Sequence, residues 1–239
     1  MILKKGRIVI PHFAHKPPTD CTWAKGETRQ HLESKTILAE SFRSRGLRAE
    51  VEFQVETLSG DRRADVMTWG PKGQPVAIEL QHTSIGLDDL ERRAFSYAKA
   101  DVAQIWVPFI RPKVWADAVP NGASGYKVEK YSAKPFEIWI HDAPHYQGMW
   151  MYDPRDQEFW KASLGDCHLW KEESSYFNEY GDEEYYPGGW YKSKRWKELI
   201  LEGPFKPSDL RLVIRKPVKG HYARPYHWPA GRFVDFQPA

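Results

Sequence analysis

Two apolar segments, close together in the chain, each carry one acid. Arg62-Arg63-Ala64-Asp65-Val66 and Ile78-Glu79-Leu80-Gln81 read as strands, and the turn formers Gly70-Pro71-Lys72-Gly73 lie between them. Burying a carboxylate is costly unless its charge is compensated. Two such acids on neighbouring strands therefore restrict the chain to folds in which they face solvent, pair with bases or share a cation.

Alternate residues of a strand share a face. Strict alternation puts Val76, Ile78 and Leu80 on a packed side and Ala77, Glu79 and Gln81 on the other. The same rule gives Ala64 and Val66 one face and Arg63 and Asp65 the opposite one. If the strands pair, Asp65 and Glu79 come within reach of one ion. Carboxylate oxygens and waters are the ligands that Mg2+ or Mn2+ prefers. Such an ion neutralises a scissile phosphate, lowers the pKa of an attacking water and stabilises the leaving oxygen. The competing account leaves both acids in solvent, paired with Arg62 or Arg63.

Residues 27–45 place Leu32, Thr36, Ala39 and Phe42 at helical spacing, and Gly46 follows as a stop. Glu27, His31 and Lys35 lie four apart on that helix. Four residues advance a helix by about 400°, so the three drift only about 80° around it. They form a polar stripe able to overhang the two strands. There Glu27 could bind a metal through water, Lys35 could hold a phosphate or the attacking water, and His31 could act as base or phosphate donor. An exposed i,i+4 ladder, contributing only a few tenths of a kcal/mol, is the alternative.

The wider pattern agrees with a layered fold. Arg48–Thr57 alternates, with Val51, Phe53 and Val55 on one side and Glu50, Glu52 and Glu56 on the other. Leu58–Asp61 is a turn, Arg62–Trp69 and Pro75–Thr83 are strands, Leu87–Ala100 is a helix and Val102–Phe109 an apolar strand. The order α-β-β-β-α-β predicts an α/β core with a mixed sheet flanked by helices. Composition then shifts: eight of the eleven tryptophans lie at Trp115 or beyond. A boundary near Pro108–Pro120 divides a core, 1–112, from an aromatic-rich α+β extension, 113–239. In the extension Phe136–His141, Gly148–Asp153, Glu158–Ala162 and Leu210–Ile214 read as short strands, Tyr191–Leu201 as a helix and Tyr176–Tyr186 as a loop.

Glu27-xxx-His31-xxx-Lys35, Arg63-Ala64-Asp65, Glu79-Leu80-Gln81 and Arg92-Arg93-xxx-Tyr97 follow one another in an order and spacing that resemble the nuclease domain of CoiA-type competence proteins. His12-Phe13-Ala14-His15 resembles the stretch that precedes that domain. The group belongs to the PD-(D/E)XK superfamily, and the resemblance spans roughly residues 10–110. It implies a restriction-endonuclease-like αβββαβ core that hydrolyses DNA with Mg2+ or Mn2+. Asp65 and Glu79 would be the metal-binding acids and Glu27 would complete the shell. Gln81 stands where the superfamily usually has lysine, and a glutamine supplies no charge, so Lys35 or His31 would substitute. Arg63, Arg92, Arg93 and Tyr97 would lie against nucleic acid; His12 and His15, three apart, could ligate a metal or, in a loop beside the site, contact phosphate or backbone. Arg92 and Arg93 could instead pair with Asp88 or Asp89 on the helix surface. The cysteine-based zinc element of the group cannot be built here from Cys21 alone.

The remaining features bound the setting. Cys21 and Cys167 make neither a disulfide framework nor a zinc site. No run of about 18 apolar residues exists, and the first residues lack the apolar stretch of a signal peptide, which predicts a cytoplasmic protein with no membrane partner. The net charge of +3 says little about partners, because a local patch is what matters. Two basic clusters stand out, Lys192, Lys194, Arg195 and Lys197, and Arg211, Arg215, Lys216 and Lys219. The late aromatics suit core packing, a homodimer or partner interface, or a platform for unpaired bases.

Overall fold

The computed structural model describes the backbone of residues 2–4 and 12–14 and, with side chains, residues 28–57, 62–144 and 148–239. Glu27, His15, the side chain of His12 and the Leu58–Asp61 turn lie outside the described residues. β1 (Ile2–Lys4) and β2 (His12–Ala14) pair antiparallel. Helix α1 (Arg29–Ser44) starts at Thr28, whose hydroxyl oxygen accepts the His31 N–H at 3.3 Å. It stops at Gly46, which takes the left-handed φ of 78° that a side chain would resist.

β3 (Ala49–Val55), β4 (Arg62–Trp69), β5 (Pro75–Gln81), α2 (Leu87–Lys99) and β6 (Ala103–Pro108) complete the predicted α-β-β-β-α-β order. The sheet runs β3-β4-β5-β6, antiparallel through β5, with β6 parallel to it. A parallel neighbour needs a long crossover, and α2 supplies it. Leu38, Ala39 and Phe42 of α1 pack in one cluster with Val66, Ile78 and Val107. Leu90 and Ala94 of α2 pack in another with Met67, Ala77 and Trp106. The core is thus a mixed sheet between two helices.

The chain continues through α3 (Pro112–Asp117), β7 (Val119–Pro120), β8 (Gly125–Tyr131), α4 (Pro135–His141), β9 (Met149–Asp153), β10 (Glu158–Lys171), β11 (Ser174–Phe177), β12 (Glu183–Tyr186) and β13 (Gly189–Phe205). β14 (Leu210–Ile214), β15 (His221–Ala223), β16 (Tyr226–Trp228) and β17 (Val234–Pro238) follow. A five-stranded sheet has the order β7-β8-β13-β10-β9. It docks on the first sheet where Ile110 N–H donates to the Tyr152 carbonyl at 2.8 Å.

Several expectations for this half need correction. Phe136–His141 is helical, because Pro135 opens the turn and the Glu137 carboxylate caps it, accepting the Lys134 N–H at 2.7 Å. Tyr191–Leu201 is strand, not helix: β10 lies on one side of it and β8 on the other, and pairing overrides the local helix preference of its lysines and leucines. Tyr176–Tyr186, expected as a loop, falls within the β11–β12 hairpin, which starts at Ser174. The strand expected at Glu158–Ala162 runs on to Lys171. Both apolar clusters draw on residues before and after 112: Trp106 shares one with Trp139 and Met151, and Val107 shares the other with Tyr152 and Phe159. Among the described residues no helix is long and apolar enough to cross a membrane.

Candidate active site

The two acids sit where the regular pleat breaks. β3 and β4 pair on either side of Glu52 and Asp65, which face each other in the register but are not themselves a ladder pair. Glu52 has a φ of 59°, a left-handed conformation uncommon for a side-chain-bearing residue. The break reverses the alternation. Val51 packs with the α1-side cluster, whereas Phe53 and Val55 belong to the α2 side. On β4, Val66 is on the α1 side and Ala64 on the α2 side. The single apolar faces expected for Val51, Phe53 and Val55, and for Ala64 and Val66, are therefore each split.

Freed from the pleat, Asp65 turns toward α1. Lys35 Nζ lies 2.8 Å from Asp65 Oδ1, and His31 Nε2 lies 3.3 Å from Oδ2. The Leu80 N–H donates to Oδ2 at 2.8 Å. That donor is available because the β4–β5 ladder ends at Val66↔Ile78, so the carboxylate takes the place of a strand carbonyl. Lys35 also donates to Glu52, which in turn pairs with Arg63. The His31 ring stacks on His82, with centroids 4.2 Å apart. Burial pushes the Asp65 carboxyl up, but the hydrogen bond from His31 and the charge of Lys35 outweigh it and hold it at about 2. Asp65 is therefore a fixed anion.

Glu79 turns the other way, toward α2. It is 1% exposed, and its carboxylate accepts from Arg93 and from the hydroxyl of Tyr97. Arg93 also lies over the Trp106 ring, 5.3 Å from its centroid. Burial raises the Glu79 carboxyl to about 7; Arg93 pulls it down and the neighbouring Asp65 charge pushes it up. Glu79 would pair with Asp65 if the ladder ran one residue further. The acids are register neighbours that sense each other, each held by a different helix.

The other expected residues divide clearly. His31 and Lys35 face the sheet, and Lys35 is fully buried, so its ammonium serves Asp65 and Glu52 rather than reaching a ligand itself. Tyr97 is likewise fully buried and holds Glu79 instead of lying against nucleic acid. Arg93 and Arg63 remain about a third exposed beside the acids. Arg92 pairs with Asp89 on the surface of α2, the alternative weighed for it above. The Gln81 amide donates to the Thr83 carbonyl at 2.7 Å. Sequence reasoning missed Glu52 and His82. Glu52 was hidden because alternation placed it on a solvent face. His82 follows Gln81 directly, and nothing in its own spacing marked it.

Among the described residues no group of three or more His, Cys, Asp or Glu side chains is arranged to hold a metal ion. The two carboxyls turn toward different helices but stand close enough for the Asp65 charge to raise Glu79, and Mg2+ usually binds one or two carboxylates and takes waters and substrate phosphates for the rest. Asp65 and Glu79 supply hard oxygen donors, and an ionised carboxylate offers about four acceptor positions, more than the protein partners of either acid occupy. A divalent cation there would also offset the burial and the Asp65 charge that lift Glu79.

A mixed sheet between helices, with acids on its adjacent central strands, defines a nuclease-like α/β domain. The family model of the competence protein CoiA nuclease-like domain matches residues 27–178, and that of the CoiA N-terminal domain matches residues 1–24. The chain belongs to the CoiA family. The nuclease-like match extends well beyond residue 110, into the aromatic-rich half, and the N-terminal match covers the segment holding His12, His15 and Cys21. No curated protein matches the chain.

Proposed function

We propose that this chain is a Mg2+- or Mn2+-dependent deoxyribonuclease of the cytoplasm that hydrolyses DNA phosphodiesters. The observation that carries the reading is the juxtaposition of Asp65 and Glu79, register neighbours at the point where the β4–β5 ladder opens. Asp65 and Glu79 would hold the cation, which when bound supplies charge neutralisation and an acidified water. Lys35, His31 and the Leu80 N–H fix Asp65 in its ionised form. Arg93 and Tyr97 orient Glu79. The exposed parts of Arg63 and Arg93 are the cations placed to meet a phosphate.

The test is cleavage of single- and double-stranded DNA with Mg2+, with Mn2+ and with chelator. Glu79→Gln and Asp65→Asn, which keep side-chain size but remove the negative charge, lower metal-dependent cleavage at least a hundredfold, and circular dichroism checks that the fold survives. Full cleavage by either variant rejects the assignment. A second reading, a nucleic-acid-binding module without catalysis, is favoured by Gln81, whose amide is engaged with Thr83 and brings no charge to the site. It predicts salt-dependent binding, no metal-stimulated cutting and an affinity indifferent to Glu79→Gln.

A partner or second copy of the chain would dock on the aromatic half. β10 and β13 stay paired out to Lys171↔Gly189, whereas β9 leaves β10 at Ala162 and β8 leaves β13 at Lys197. The ribbon beyond exposes Trp170 and Trp190, and the β11–β12 hairpin at its end exposes Phe177 and Tyr185. Light scattering of the intact chain and of a Trp170→Ser/Trp190→Ser variant reads whether this surface assembles.

A further inference from the structure

The basic cluster Arg211, Arg215 and Lys216 finds its place in a cleft of about 550 Å³ far from the acids. Arg45, Lys72 and Arg232 complete its cationic lining, and no acidic side chain lines it. Asp235 pairs with Arg215 and Asp101 with Arg232 from outside the lining. Asp209 also acts on Arg45, and the six cations still outnumber these three acids. Between the cations the wall is apolar, formed by Leu47, Leu212 and Ile214, while Trp69 at the edge is capped by Arg48, 3.7 Å over its ring. The lip is the tight turn Gly70–Gln74, closed by the Gly70 N–H donating to the Gln74 carbonyl at 2.8 Å. A side chain at Gly70 would come within 3.0 Å of Ile214, so the bare glycine lets the turn approach β14 and shape the wall.

Cations around an apolar wall suit a ligand with phosphates and a hydrophobic ring face. A duplex offers phosphates but keeps its bases stacked, whereas an unpaired strand can turn a base inward. We propose that this cleft binds a segment of single-stranded nucleic acid, with phosphates on the Lys72 and Lys216 rim and a base against the apolar wall. Trp69 stands four residues along β4 from Asp65, ~13 Å at the rise of a strand. The cleft is thus a separate holding site at the far end of the sheet from Glu79 and Gln81. Its role as a substrate grip rests on the nuclease reading; its occupancy does not.

Fluorescence anisotropy in chelator separates the two. A labelled single-stranded oligodeoxynucleotide is titrated with the full-length protein, with its Lys72→Glu/Lys216→Glu variant and with Glu79→Gln. Both lysines are exposed, so the double variant folds, and circular dichroism checks it. The expected result is binding of the single strand at least tenfold tighter than of the matching duplex, weakened at least tenfold by the lysine pair and unchanged by Glu79→Gln. Binding by the double variant within twofold of the parent overturns the proposal, as does equal affinity for duplex. Cleavage is read in parallel with Mg2+ or Mn2+: its loss in Glu79→Gln with binding in chelator intact supports both readings, and binding in chelator by a parent that does not cleave with metal removes only the nuclease.

Discussion

At the scale of single residues, the centre is held by charges that cannot be removed one at a time. Lys35 is fully buried against Asp65 and Glu52. Taking away one partner of a buried pair leaves the other uncompensated, at a cost of about 3–5 kcal/mol. Lys35→Met is expected to lower stability by about 3 kcal/mol, read as a fall in the urea midpoint, and to lift the Asp65 carboxyl toward its ordinary 3.8 or above. An unchanged midpoint would mean that the ammonium is not what compensates Asp65. The two acids also give opposite pH signatures. Asp65, at about 2 in the fold against 3.8 ordinarily, contributes stability that is present above 3.8 and lost as pH falls toward 2. Glu79, at about 7 against 4.5, binds its proton more tightly in the fold, so stability falls as pH rises from 4.5 through 7. Urea titrations at pH 5 and pH 8 in metal-free buffer should show the parent losing stability between them, and Glu79→Gln losing much less. An identical loss in both would place the titration elsewhere.

At the scale of elements, the reversal at Glu52 decides which side chains meet. Helical spacing marked α1 because 3.6-residue periodicity survives packing, but of Leu32, Thr36, Ala39 and Phe42 only Ala39 and Phe42 are buried; the buried face also holds His31, Ser34, Lys35 and Leu38, so the polar stripe lies against the sheet and reaches Asp65. The strands were legible as strands for the same reason, through turn residues at their ends and apolar runs between. The faces of β5 were legible, with Val76, Ile78 and Leu80 on the α1 side and Ala77 and Glu79 on the α2 side, but those of β3 past Glu52 were not, since a period of two has no memory across a left-handed residue and the later side chains of that strand change sides. That backbone has a measurable signature. A left-handed conformation costs a side-chain-bearing residue about 1–2 kcal/mol relative to glycine. Glu52→Gly and Glu52→Ala both lose the carboxylate that Lys35 and Arg63 contact, so their difference isolates the backbone. The glycine variant is expected to be more stable than the alanine variant by about 1 kcal/mol in chemical denaturation. Equal stabilities would show that the φ of Glu52 is relaxed rather than imposed.

At the scale of the whole molecule, the aromatic half is structural as well as exposed. Trp139, Met151 and Trp160 pack in the cluster that holds Trp106 and Leu90, and Tyr152, Phe159 and Phe236 pack in the one that holds Val107 and Phe42. Sequence could not show this, because contacts between distant segments leave no local period, and strands as long as β10 and β13 alternate only where a second layer covers them. The same sharing predicts how the chain fails when cut. A fragment ending at residue 112 would keep α1, the four-stranded sheet and α2 but uncover Trp106 and Val107, both fully buried in the intact chain. It would also lose the Ile110–Tyr152 backbone bond that docks the second sheet. Exposed apolar surface of that extent drives association, and a core stripped of half its partners lacks the burial needed to offset chain entropy. The fragment is therefore expected to show no cooperative thermal transition and to aggregate at concentrations where the full chain does not. A sharp transition from monomeric 1–112 would demonstrate instead that the four-stranded sheet and its helices carry enough core of their own.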